Sequence, residues 1–225
     1  WELKGGDNDK QWERNFPDGC PGLVVNLGAS CVTDNGGVRM DFAKTYVVGT
    51  MTSFKDSFIE PDTHLLGVCM KPGVFSNFFD YVPQFELTDK TVQLETTHSF
   101  DFDILFKSPV DYLNGFFTAR SQNRNGLLLS ILDDIHQSNG QLSIRGIAKK
   151  NSVTVRWLER NFKTQVGTTP KEYSNIVRFQ NALSKIKGSS HGKSFLDIAF
   201  ECGYYDHSHL TNEVKRNTGL APSQL

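Results

Sequence analysis

The side chains best placed to do chemistry are four charged residues within one short stretch: Arg156, Glu159, Arg160 and Lys163. If the stretch is helical, about 100° per residue puts them opposite Leu158, with Arg160 at the centre, Arg156 and Lys163 beside it and Glu159 at the edge. Cations grouped on one face suit the neutralisation of phosphates, and a guanidinium can also grip a base edge in the major groove. Fifty-two residues further on, the equivalent positions hold Ser208, Thr211, Asn212 and Lys215, with His207 and His209 at the helix start. That set is mostly neutral and offers donors and acceptors rather than charge.

Other chemistry finds less support. There is no Gly-x-Ser-x-Gly, no Walker loop and no GxGxxG. His64 and His98 stand alone, whereas a cupin-type metal site needs a close His-x-His with a downstream acid. Cys20, Cys31, Cys69 and Cys202 are scattered without a CxxC pair, so they read as buried free thiols of a reducing cytoplasm, with no metal and no cofactor. No stretch approaches the roughly 18 uncharged apolar residues of a membrane span, so no membrane partner is expected. The chain starts at Trp1 rather than Met, which is compatible with a removed leader.

The elements that must position the charged face are repeated. At an offset of 51, Ser143, Ile147 and Ala148 match Ser194, Ile198 and Ala199; at 52, Leu158, Lys163, Gly167 and Pro170 match Leu210, Lys215, Gly219 and Pro222. Each copy reads as helix-turn-helix: a Ser N-cap, a short helix whose Ala lets a neighbour cross closely, a turn, and a second N-cap at Thr154 or Asp206. The second helix then buries Leu158 and Phe162, or Leu210 and Val214. Between the copies, Thr169-Pro170-Lys171-Glu172 is a capping box that opens a long helix to Lys187-Gly188. A lone charged helix face is ordinarily just solvated. The duplication and the local charge turn this one toward a polyanion.

That charge is hidden in the total, which is 24 basic against 25 acidic residues. Cut after Asn123, the first part holds 10 basic and 17 acidic residues (−7), the second 14 and 8 (+6), and 13 of the 17 Phe precede the cut. Two domains are therefore expected. The first has short β-rich runs at Leu23-Val24-Val25, Tyr46-Val47-Val48 and Leu65-Leu66, separated by Gly, Pro, Asn and Asp, which indicates an antiparallel sandwich or barrel. A Ser108-Pro109 start opens a connector helix with Val110, Leu113 and Phe117 on one stripe. Its Tyr112, Leu113, Phe116 and Phe117 could cover the barrel or form a homodimer surface.

Residues 124–225 resemble the DNA-binding domain of the AraC family of bacterial transcription regulators. The likeness is carried by Leu142-Ser-Ile-Arg-Gly-Ile-Ala148, Arg156-Trp-Leu-Glu-Arg160, Gly167-Thr-Thr-Pro-Lys-Glu-Tyr173, Arg178-Phe-Gln-Asn-Ala-Leu183 and Ile198-Ala-Phe-Glu-Cys-Gly-Tyr204. It implies DNA contact at Arg156, Glu159, Arg160, Lys163, Ser208, Thr211 and Asn212, and a backbone role for Arg178. His207 and Lys215 join this set from the outer face of the second helix. Val214 departs from the family, which often has Phe there. The first half is similar to the N-terminal domain of one subgroup, through Pro17-Asp18-Gly19-Cys20-Pro21 and Gly67-Val68-Cys69-Met70-Lys71-Pro72-Gly73.

The expected protein is α+β: a cupin-like antiparallel β-barrel for sensing or dimerisation over residues 1–106, a connector helix over 107–123, and an all-α double helix-turn-helix over 124–225. The expected function is a cytoplasmic regulator that binds double-stranded DNA, with RNA polymerase and a small-molecule effector as further partners. The alternative is a small-molecule enzyme in the barrel with an autoregulatory DNA-binding half.

Overall fold

The computed structural model describes residues 1–6, 11–79, 83–94, 100–120, 126–188 and 193–225. His98 and the boundary at Asn123 lie outside them. The turn-punctuated apolar runs become strands β1 (Glu2–Lys4), β2 (Gln11–Asn15), β3 (Gly22–Asn26), β4 (Cys31–Thr33), β5 (Val38–Met40), β6 (Lys44–Val48), β7 (Lys55–Ile59), β8 (His64–Cys69) and β9 (Thr91–Gln93). They pair antiparallel in two sheets, ordered β1-β8-β3-β6-β9 and β2-β7-β4-β5. Among the described residues the two sheets are not joined into a closed ring, so the β domain is an open form of the expected barrel.

Leu23-Val24-Val25 runs through the middle of the larger sheet and is covered on both faces. Leu23 and Val25 join a core with Phe75, Phe79, Phe100 and Leu105, while Val24 joins Cys31, Met40 and Tyr46 between the sheets. Burial on both faces explains why this strand is continuously apolar rather than alternating. By contrast β2, at the edge of the smaller sheet, is exposed at every residue.

Two helices cover the outer face of the larger sheet: α1 (Phe102–Lys107), which the sequence reading did not assign, and α2 (Pro109–Arg120). Tyr112, Leu113, Phe116 and Phe117 pack on the sheet core. Phe116 meets Phe100 edge-on at 4.9 Å, and Phe117 meets Phe78 at 5.0 Å. The stripe thus covers its own domain. Val110 is not part of it and is 68% exposed, because Tyr112 and Phe116 take the half-buried positions against the sheet.

The remaining chain is helical: α3 (Gly126–Gln137), α4 (Ile144–Lys150), α5 (Val155–Gln165), α6 (Pro170–Gly188), α7 (Phe195–Glu201) and α8 (His207–Thr218). Both copies of the repeat form the same unit. Ser143, Thr154, Ser194 and Asp206 each accept a backbone N–H of the first turn of their helix. Ala148 and Ala199 are buried at the close crossings, as are Leu158, Phe162, Leu210 and Val214. Ser152 and Gly203 take the left-handed backbone at the two turns. The capping box of α6 is made in both directions, at 2.9 Å from Thr169 N to Glu172 Oε2 and 3.2 Å from Glu172 N to Thr169 Oγ1. Its 19 residues span roughly 28 Å at about 1.5 Å per residue, and this rod sets the spacing of the two units. Helix α3 supplies Leu128, Ile131, Leu132 and Ile135 to the core of the first unit.

Where the chain leaves α3, Gly140 has φ +70, and a Cβ there would lie 2.1 Å from the carbonyl oxygen of Ser174 in α6. Backbone rather than a flexible side chain blocks the space. Gly140→Ala is therefore expected to cost at least about 2 kcal/mol, read as a lower midpoint in thermal unfolding.

Candidate nucleic-acid interface

On α5, the face opposite buried Leu158 and Phe162 carries Arg156, Arg160 and Lys163, all exposed, with Glu159 half-buried at the edge. Among the described residues none of the three cations forms an ion pair, whereas Lys150 on α4 is held 2.7 Å from Asp134. Three cations without an ion pair thus share the outer face of α5. On α8, His207, Ser208, Asn212 and Lys215 are exposed in the corresponding positions. The structure therefore brings most of the sequence-derived set onto two outward faces of two equivalent helices.

Two members of that set sit elsewhere. Thr211 is half-buried, and its hydroxyl is enclosed without a hydrogen-bond partner. Arg178 is turned inward: its Nη2 donates to the Gly140 carbonyl at 2.9 Å and its guanidinium lies 5.8 Å from the Tyr204 ring. It ties α6 to both units, since Gly140 precedes α4 and Tyr204 precedes α8.

A feature the sequence reading did not supply is the way the β domain holds the ends of α5 and α8. The last carbonyls of a helix lack intrahelical partners. After α5, Val166 O accepts from Thr50 Oγ1 and Gly167 O accepts from Thr88 Oγ1, each at 2.6 Å. At the end of α8, Thr218 O accepts from Arg14 Nη1 at 3.0 Å. That guanidinium is itself fixed by Asp56 through two bonds of 2.7 and 2.8 Å and lies 4.2 Å over Phe54. Gly167 and Gly219, matched in the repeat, have φ +96 and +72, and a Cβ on Gly219 would come within 2.7 Å of Arg14 Nη1. The paired glycines now have a reason: they let the β domain approach the end of each helix.

A cavity of about 370 Å³ lies between the two sheets, lined in part by Leu3, Val24, Met40, Ile59 and Leu65. Lys55 reaches it and is 6% exposed. Its ammonium sits 2.9 Å from Asp34 Oδ2 but out of line for a directed hydrogen bond, so its donors are unsatisfied. The segment beside the cavity has two faces. Glu13, Asn15, Phe16, Asp18 and Cys20 line the cavity. Between them, Arg14 holds Thr218, the Pro17 carbonyl accepts from Gln180 Nε2 at 2.6 Å, and Gly19 abuts Tyr173. The segment thus meets the cavity on one side and the helical domain on the other.

Residues 147–225 match a family model described as a helix-turn-helix domain, and residues 1–93 match one described as a domain of unknown function, DUF6597. Over 105 residues the chain is 31% identical to the HTH-type transcriptional activator RhaS of Escherichia coli, which is 47% of this chain and 36% of the relative. These matches support the resemblance of the C-terminal half to the helix-turn-helix domain of AraC-type regulators. The match spans little more than a third of RhaS. ToxT from Vibrio cholerae shares the fold across both domains: it covers 100% of this chain and 95% of its own with a TM-score of 0.57 at 11% identity. A second ToxT structure, bound to (E)-4-(8-methylnaphthalen-1-yl)but-3-enoic acid, gives a TM-score of 0.56 at 12% identity.

One titratable group of the helical domain sits where that domain meets the β domain. His136 Nε2 lies 2.7 Å from the Tyr173 hydroxyl. Burial holds its pKa below the ordinary 6.5; Lys71 from the β domain pushes the same way and Asp133 opposes. Because the folded pKa is depressed, the stabilising contribution is present above the unfolded value and is lost as pH falls through the folded one. The unfolding midpoint of the intact chain is expected to drop as pH is lowered below about 6.5, and His136→Phe should flatten that part of the curve in a thermal-melt pH series.

Proposed function

We propose that the chain is a sequence-specific DNA-binding transcription regulator whose C-terminal domain lays α5 and α8 into successive segments of the major groove. The observation that carries this reading is the pair of equivalent helices with outward, unpaired polar and cationic faces, set at fixed separation by α6 and by the β domain. Arg156, Arg160 and Lys163 are assigned to phosphates and base edges of one segment, with Glu159 beside them. His207, Ser208, Asn212 and Lys215 are assigned to the other segment. Thr211, half-buried on α8 as Glu159 is on α5, stands beside the second set, and Arg178 contributes by holding the units in place. The resemblance to transcription activators suggests RNA polymerase as a further partner.

The two helices differ in charge. Residues 154–163 carry Arg156, Arg160 and Lys163 against Glu159, or +2, whereas residues 206–215 carry Lys215 against Asp206 and Glu213, or −1. Helix α5 should therefore supply most of the affinity. Arg156→Ala or Arg160→Ala is expected to cost about 1 to 3 kcal/mol where the guanidinium grips a base, and to flatten the log-log salt slope by about 0.9 for each phosphate contact removed. Asn212→Ala should cost less and leave the slope nearly unchanged. Binding titrations at two salt concentrations check this ranking, and it fails if Asn212→Ala is the more damaging change.

The cavity between the sheets is assigned to a small effector that is mostly apolar and carries one acidic group, which would meet the buried ammonium of Lys55. ToxT structures with an arylbutenoic acid and with an unsaturated fatty acid support an acid of this kind. An effector there would press on residues 13–20, whose opposite side holds α6 and the end of α8. In a thermal-shift series with straight-chain carboxylates, wild type should rise in midpoint as its ligand concentration exceeds Kd, and Lys55→Met should lose the rise for the acids but not for the matching alcohols.

A further inference from the structure

The fold joins two cysteines that the sequence reading treated as unrelated buried thiols. Cys31 and Cys202 are buried, but Cys69 is exposed and Cys20 is half-buried beside it. The turn Pro17-Asp18-Gly19-Cys20-Pro21 brings Cys20 to the end of β8, where the Met70 amide donates to the Pro21 carbonyl at 2.9 Å. Asp18 completes the group. Its Oδ1 accepts from the Cys20 amide at 2.8 Å, and its Oδ2 accepts from the Cys69 thiol at 3.7 Å. The two sulfurs and a carboxylate oxygen all lie within 4.8 Å of one another.

We propose that Asp18, Cys20 and Cys69 form a binding site for a thiophilic divalent cation of the zinc class. The donor set is right, since two thiolates and a carboxylate select a soft or borderline ion over magnesium or calcium. The spacing is right as well. Bonds of about 2.3 Å to sulfur and about 2.1 Å to oxygen in a tetrahedron set a sulfur and an oxygen donor roughly 3.6 Å apart, and Cys69 Sγ stands 3.7 Å from Asp18 Oδ2. The Cys20 amide orients the carboxylate, as outer partners do in metal sites. All three residues line the inter-sheet cavity, so a fourth ligand can come from the cavity side. The site also has a mechanical consequence. Gly19 lies between two of the ligands, and a Cβ there would be 2.8 Å from Tyr173 Cε2. An ion fixing Asp18 and Cys20 would therefore brace the loop against α6. Binding at this site needs no DNA, so its test is separate from that of the regulator reading.

The experiment uses the intact chain, reduced and freed of metal, titrated with Co²⁺ and then Zn²⁺. One equivalent of Co²⁺ should give a thiolate-to-metal charge-transfer band that Zn²⁺ displaces. Cys20→Ser and Cys69→Ser should each abolish the band, and Asp18→Asn should weaken Zn²⁺ binding by at least about tenfold. Cys31→Ser should keep both the band and the stoichiometry. If a serine variant does not fold, alkylation of wild type gives the same reading: Zn²⁺ should shield Cys69 from iodoacetamide at least about tenfold. The proposal is overturned by a wild type with no thiolate band, by a band that survives loss of Cys69, or by a pair that forms a Cys20–Cys69 disulfide while binding no ion when reduced.

Discussion

The organisation of this protein depends on the unsatisfied carbonyls at the ends of two helices. Helices α5 and α8 expose their working faces to solvent, so their C-terminal carbonyls must find donors elsewhere. The β domain provides them, through Thr50 and Thr88 at one end and Arg14 at the other. A carbonyl buried without a donor costs more than an ordinary hydrogen bond gains. These contacts therefore do more than decorate an interface: together with α6 they hold the two helices in one frame. The left-handed glycines at positions 167 and 219 are the local condition for it, since a side chain at either would be strained at its positive φ and would crowd Thr88 and Gln84 or Arg14.

This arrangement ties the cavity to the helices through one short segment. Residues 13–20 both line the cavity and touch the helical domain. Arg14, Pro17 and Gly19 touch the helical domain, Glu13, Asn15, Asp18 and Cys20 line the cavity, and Phe16 does both. A ligand or an ion on the inner side can only act on the helices by shifting the outer side, and its influence is bounded by its differential affinity for the two positions of that segment. The β domain and the helical domain are thus parts of one mechanical unit, with β2 and the following loop as the shared wall.

Much of this was legible in the sequence, and the exceptions are instructive. The double unit, its four N-caps and the long helix follow from local chemistry: Ser, Thr and Asp accept the first-turn amides wherever the chain enters a helix, and Ala marks each close crossing. The outward face of α5 follows from helical period alone. Arg178 escapes that logic because its side chain is drawn to Gly140, distant in sequence, and Thr211 because its hydroxyl is enclosed at the edge of its helix. Helix α3 carried a readable signal in Leu128, Ile131, Leu132 and Ile135, spaced for one helical face. The thiol pair did not, because Cys20 and Cys69 meet only through the pairing of β3 with β8 and the turn before it. The grip of Arg14 on Thr218 spans 204 positions, and nothing local to either residue announces it.

The central claim is that α5 and α8 read DNA together as a rigid pair. Hydroxyl-radical footprinting of the intact chain on a duplex selected for tight binding tests it most directly. The account predicts two protected tracts with centres about 10 base pairs apart on one face of the duplex, both lost together when the chain dissociates with salt. A single tract, or two whose spacing varies between selected sequences, would contradict it.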